Sequence, residues 1–247
     1  MAGHSKWHNI QHRKGAQDRA RSKIFSKHSK LITIAARGNP DPEQNPALKA
    51  VISNAKSDNV PNDNISRALK KAMSDKSGDD YHELSYEVYA PGGVAVIIDA
   101  LSDNVNRTFT NVRTIVTKRG GNMGASGAVS WMFHDKGNME LILPDGFDKD
   151  DIEMAIIEAG AEDLEFGEDR VFITTAFSDL GAVRDELMKK YTLEGIKTVK
   201  VPENEVAITD AAAAQKFLDF IAAIEEDEDV SDVYHNAEIS EEILKNI

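Results

Sequence analysis

The chain has 247 residues, 41% of them hydrophobic, and carries 42 Asp/Glu against 29 Lys/Arg for a net charge of -13. No stretch approaches the ~18 consecutive apolar residues of a membrane span, and the lack of any cysteine removes disulfide scaffolds, thiol nucleophiles and thiolate metal sites together. The opening MAGHSKWHNI has neither the apolar core of a secretory signal nor the Arg- and Ser-rich length of a transit peptide, so the expected location is the cytoplasm.

Residues 1–76 hold 15 basic and 6 acidic side chains, whereas residues 77–247 hold 14 and 36. Such asymmetry points to one end that binds a polyanion and a remainder that repels it. Before the sign changes, only helical patterns occur. Ala20, Ile24, Leu31 and Ala35 mark a helix over about 16–37, ending at Gly38 before Pro40. Leu48, Val51, Ile52 and Ala55 mark a second; Ile65, Ala68, Leu69, Ala72 and Met73 mark a third after Pro61. SDKSGDD, residues 74–80, has no periodicity and reads as a linker.

Beyond it, ELSYEVY, the turn APGG and VAVIIDAL read as a hairpin leading into a buried strand. A helix follows, capped by Asp103 or Asn104, with Val105, Phe109, Val112 and Val116 as its stripe and Gly120 and Gly121 at its end. A strand is expected near 127–133. Residues 138–201 then give strand, helix, strand, strand, helix, strand, a complete βαββαβ unit. A helix from Asp210 and a strand around 229–235 could close the sheet begun at 83. The expected fold is therefore α+β and multidomain: a basic three-helix domain (1–76), an α/β domain (81–133 plus 206–247), and an acidic α/β domain of ferredoxin-like type inserted at 134–205.

On the first helix, Arg19, Lys23, Lys27, Lys30 and Arg37 fall within an arc of about 80° at 100° per residue, away from the assigned stripe. Lys6, Arg13, Lys14 and Arg21 precede or join them, so the ridge is expected to face solvent and meet a phosphate backbone, with counterion release driving affinity. His4, His8 and His12 repeat at four-residue steps, but the surrounding cations and missing carboxylates argue against a metal, leaving His8 a candidate partner contact. Trp7 is expected to pack under the bundle in preference to stacking on a base. RGGNMGASG at 119–127 follows a helix instead of opening one, so it reads as a structural turn, not a phosphate loop. Arg107 is a second candidate partner contact. EEDEDVSD at 225–232 lacks the ligand order of a calcium loop and reads as a solvated segment. No serine-hydrolase elbow, P-loop or zincin motif occurs, so catalysis is not expected, and no cofactor, metal or small-molecule substrate is implied.

Taken together, AGHSKWHNIQHRKGAQDRARSKIFSKHSKLITIAA, NPDPEQNPAL, NVPNDNISRALKKA, YEVYAPGGVAVIIDALSDNVNRT and KRGGNMGASGAVSWMF resemble the YebC/PmpR family. The resemblance runs from end to end and implies a helical bundle with two α/β domains, one inserted in the other, in a cytoplasmic, non-enzymatic protein. It implies a regulator of transcription that binds promoter DNA; relatives implicated in translation of proline-rich sequences make ribosomal or transfer RNA, on the ribosome, the alternative partner. Under either role the matching cations are Lys6, Arg13, Lys14, Arg19, Lys23, Lys27 and Lys30. The chain departs from the family pattern at Val88 and Ala90, where YEGYGPGG is common, at Arg37–Pro40, where a glycine pair is common, and at Ala72. The bundle shows no clear helix-turn-helix pattern with Asn, Gln and Arg at a helix start, so base-specific reading is not expected.

Overall fold

The computed structural model describes residues 14–74, 81–245 and 247. Three helices come first: α1 (Lys14–Ala35), α2 (Pro46–Ser57) and α3 (Asn62–Ser74). Asn45 sets the corner between the first two. Its side chain caps α2 by accepting from the Leu48 amide, while its own amide group donates to the carbonyls of Ala35 (2.7 Å) and Asn39 (2.8 Å). Ile32, Ala36, Leu48, Ala55, Val60, Ile65 and Ala68 make the core. The stripe expected on the first helix is rotated: Ile24 is 41% exposed, whereas His28, Ile32 and Ala36 turn inward. Apolar residues lie on more than one side of α1, so its periodicity alone does not select a face; the facing Leu48 and Ile65 do. Met73 also points outward.

The second part is a four-stranded antiparallel sheet. It contains β1 (His82–Tyr89), β2 (Ala95–Ser102), the short β3 (Asn122–Met123) that follows α4 (Val105–Lys118), and a strand from near the C-terminus. The intervening segment supplies β4 (Phe133–Ile142), α5 (Lys149–Glu158), β5 (Asp163–Phe166), β6 (Arg170–Ala176), α6 (Leu180–Leu187) and β7 (Leu193–Pro202). The chain then returns through β8 (Val206–Ile208), α7 (Ala211–Glu225), β9 (Val230–His235), β10 (Ala237–Ile239) and α8 (Glu241–Lys245). β9 pairs with β2, giving the order β3-β1-β2-β9, and β8 pairs in parallel with β10. The strand expected at 229–235 thus does join the sheet begun at 83. The segment between forms its own sheet, β5-β6-β4-β7, with all neighbours antiparallel, the order of a ferredoxin-like βαββαβ unit.

The run VAVIIDAL is continuous because β2 is covered on both faces. Val96 and Ile98 pack with Val112 and Val116 of α4 and with Phe217, Phe220 and Ile221 of α7, while Ala95 and Ile97 face Val129 and Phe133. A separate core of Met139, Leu141, Ile152, Ile156, Val171, Ile173, Val183 and Leu187 fills the βαββαβ unit. The strand expected near 127–133 is not formed. Residues 124–129 instead wrap around the Glu87 side chain, a 3-10 turn spans Ser130–Met132, and β4 starts at Phe133.

Candidate nucleic-acid interface

Lys23, Lys27 and Lys30 of the basic ridge lie away from the bundle core, as their spacing predicts, but Lys27 and Lys30 do not project freely into solvent. The segment 225–232 that follows α7 lies across them. Lys27 Nζ meets Asp232 Oδ2 at 2.5 Å. Lys30 Nζ donates to Asp229 Oδ1 (3.0 Å) and to the carbonyls of Leu101 and Glu228 (both 2.9 Å). Lys23 is half-buried beside them, and burial holds its pKa below the ordinary lysine value despite the nearby Glu225, Asp227 and Asp232. Two sequence expectations are therefore corrected: this stretch of the ridge is covered, and the acidic segment read as solvated is what covers it. A helical wheel shows which residues share a face, but not what later part of the chain will pack on that face.

Asp229 is the centre of this contact. It is only 7% exposed, and its Oδ2 lies 2.8 Å from the Arg107 guanidinium, 2.8 Å from the Thr108 hydroxyl and 3.1 Å from the Ser102 hydroxyl. Burial works to raise its pKa, but hydrogen bonds from Arg107, Thr108 and Lys30 outweigh this and bring it from 3.8 down to about 2. Arg107 also pairs with Asp103 at 2.8 Å. Asn104, rather than Asp103, caps α4 by accepting from the Arg107 amide. Arg107, expected as a partner contact, thus has an internal role: it joins the start of α4 to the segment that holds α1.

Lys6, His8 and Arg13 lie outside the described residues, as do Trp7 and the His4, His8, His12 series. Lys14 and Arg19 occupy the first two turns of α1. Exposed cations not singled out by sequence lie elsewhere in the bundle: Lys56 on α2, and Arg67, Lys70 and Lys71 on α3. Their spacing of i, i+3 and i+4 opposite Ile65, Ala68 and Ala72 was the available signal.

The glycine-rich stretch 119–127 is a structural turn, as its place after a helix predicts. Gly120 and Gly127 have φ of 82° and 84°, which favours glycine. The amides that could cradle a phosphate are already used: Gly127, Val129 and Ser130 donate to the Glu87 carboxylate at 2.7, 2.6 and 2.9 Å. Burial acts to raise the Glu87 pKa, but these donors bring it below the usual carboxylate value.

These features define a class: a basic three-helix bundle fastened to acidic α/β units, with no helix among the described residues long and apolar enough to cross a membrane. Two family models cover nearly the whole chain, the "TACO1/YebC protein N-terminal domain" over residues 5–75 and the "TACO1/YebC second and third domain" over 81–237, and the chain belongs to this family. It is 45% identical to a "Probable transcriptional regulatory protein" of Halothermothrix orenii, over all of this chain and 99% of that one. A protein of the same name from Clostridium botulinum is 44% identical over 98% of both chains. The crystal structure of a conserved hypothetical protein from Aquifex aeolicus superposes with a TM-score of 0.81 at 42% identity, covering 95% of this chain and 97% of that one. The names of the Halothermothrix orenii and Clostridium botulinum relatives are those of regulators.

Proposed function

We propose that the protein is a non-enzymatic, nucleic-acid-binding regulator of gene expression, a DNA-binding regulator of transcription whose contacts come from the basic helical bundle. The observation that carries this reading is the segregation of charge: an excess of nine positive charges in residues 1–76 against an excess of 22 negative charges in the rest. The acidic units would keep the remainder of the molecule off the polyanion and so orient the bundle toward it. In this reading residues 1–76 are the binding domain, while 81–133 with 206–247, and the inserted 134–205, are two further domains on their own cores. The names of the relatives agree with it, and the cytoplasm is the compartment it requires.

The test is the salt dependence of binding to a mixed-sequence DNA duplex. A bundle that neutralises several phosphates predicts an affinity falling linearly on logarithmic axes with salt, by about 0.9 per phosphate contacted. The Lys14→Glu/Arg19→Glu variant is expected to flatten that slope by about 2. An affinity indifferent to salt would overturn the reading. Binding confined to ribosomal or transfer RNA would move the function to translation.

A further inference from the structure

We propose that α2, the turn after it and α3 form a helix-turn-helix unit, and that the exposed face of α3 is laid in the major groove of double-stranded DNA. This rests on the nucleic-acid reading above and names the surface and the partner within it. The sequence hides the unit because the position where such turns often carry glycine is an asparagine. Asp58, Asn59, Val60 and Pro61 make the whole connection, and Asn59 has φ of 57°, in the left-handed region that asparagine tolerates better than other side chains.

The turn is fixed from both sides. Val60 is 5% exposed and inserts beside Ala55 (0%), Ile65 (6%) and Ala68 (5%), so small residues let the two helices approach. The Asp58 carboxylate meets His28 Nε2 of α1 at 2.5 Å, which ties the turn to the first helix of the bundle. The face of α3 turned away from this core presents Ser66, Arg67, Lys70 and Lys71, all exposed, with Asn62 at its start and Asp63 as the acidic residue. Arg67 lies back toward the N-terminal end of the helix, its guanidinium bonded to the Asp63 carbonyl and the Asn64 side chain.

This chemistry suits duplex DNA. Arg pairs in bidentate fashion with the guanine edge and Asn with the adenine edge, while Lys70 and Lys71 supply cations one helix turn on from Arg67. The 13 residues of α3 form a rod about 20 Å long and, with side chains, about 10–12 Å across, which matches the major groove of B-form DNA at about 12 Å wide. The deep, narrow groove of an RNA duplex would not admit it. Lys27 and Lys30 are less suited to meet phosphate, because Asp232 and Asp229 already neutralise them.

The experiment uses the full chain, a fluorescein-labelled DNA duplex of about 30 base pairs and an RNA duplex of the same sequence, read by anisotropy across a salt series of about 50–200 mM. Wild type is compared with Arg67→Glu/Lys70→Glu, with Lys14→Glu/Arg19→Glu, and with Asn59→Gly, which keeps the turn. The expected result is preference for the DNA duplex, lost about tenfold or more in the α3 variant with a salt slope shallower by about 2, and kept in Asn59→Gly. Because Arg67 and Lys70 are exposed, the melting temperature of the variant should match wild type. If the α3 variant binds DNA as wild type does while the α1 variant loses it, the α3 assignment falls and the nucleic-acid reading stands. If wild type binds neither duplex, both fall. A preference for the RNA duplex overturns DNA as the partner.

Discussion

Asp229 shows how a single carboxylate can join three parts of the chain. It receives Lys30 from α1 and Arg107 from α4 while sitting just ahead of β9, and the Ser102 and Thr108 hydroxyls complete its shell. Removing it leaves Lys30 partly buried without its carboxylate, so Asp229→Ala is expected to lower stability by about 3 kcal/mol in denaturant unfolding. Its depressed pKa also gives the molecule an acid limit. A carboxylate whose folded pKa lies below its unfolded value stabilises the fold above the unfolded value and ceases to do so as pH falls through the folded one. From 3.8 to about 2, the stability lost on acidification should be on the order of 2 kcal/mol, and Asp229→Asn should lack that component of the pH profile. Glu87 is the counterpart on the other side of the sheet. Gln at this position has one carbonyl oxygen for three amides, so Glu87→Gln is expected to cost about 1–3 kcal/mol, and amide exchange should speed up at Gly127, Val129 and Ser130. Unchanged exchange there would mean that the loop holds its shape without the carboxylate.

The helices show what could be read from sequence and what could not. The second and third helices, α4 and α7 lie close to where their periodicity puts them, because each has one dominant apolar stripe and, for α2, α4 and α7, a capping Asn or Asp that marks the start. The βαββαβ unit was legible for the same reason: its short strands and helices alternate period with little ambiguity. α1 was legible as a helix but not in its facing, since Ile24, Phe25, Leu31 and Ile32 offer competing faces and the choice belongs to α2 and α3. The strand expected near 127–133 failed because VSWMF has strand composition, while the carboxylate that bends this stretch comes from Glu87, some 40 residues earlier. The same non-locality affected the candidate site. Arc arithmetic brought Lys23, Lys27 and Lys30 together correctly, but their partners Asp229 and Asp232 are about 200 residues away in sequence. Reversing all three to Glu would now set like charges against the acidic segment. The triple variant is expected to loosen α1 from the sheet, seen as faster amide exchange along α1 and a lower melting temperature. A melting temperature equal to wild type would show that this contact contributes nothing to stability.

At the scale of the molecule, charge is distributed by part: a basic bundle, a central sheet unit that is near neutral over residues 77–133, and an acidic remainder. Lys27–Asp232 and Lys30–Asp229 fasten the bundle to the central sheet, and Lys200–Asp99 at 2.5 Å fastens the inserted sheet to it. Ion pairs thus run between the three larger hydrophobic cores, beside the small apolar cluster of Ala95, Ile97, Val129 and Phe133 where the inserted segment begins, an arrangement that leaves the exposed cations of α3 on one part of the molecule and most of its acids on the others. The measurement that tests the central claim most directly is crosslinking of the protein in growing cells, followed by sequencing of both the DNA and the RNA recovered, with the Arg67→Glu/Lys70→Glu variant alongside. The account predicts enrichment of DNA at discrete promoters that disappears in the variant. Recovery of ribosomal or transfer RNA with no promoter enrichment would contradict it and make the protein a translation factor.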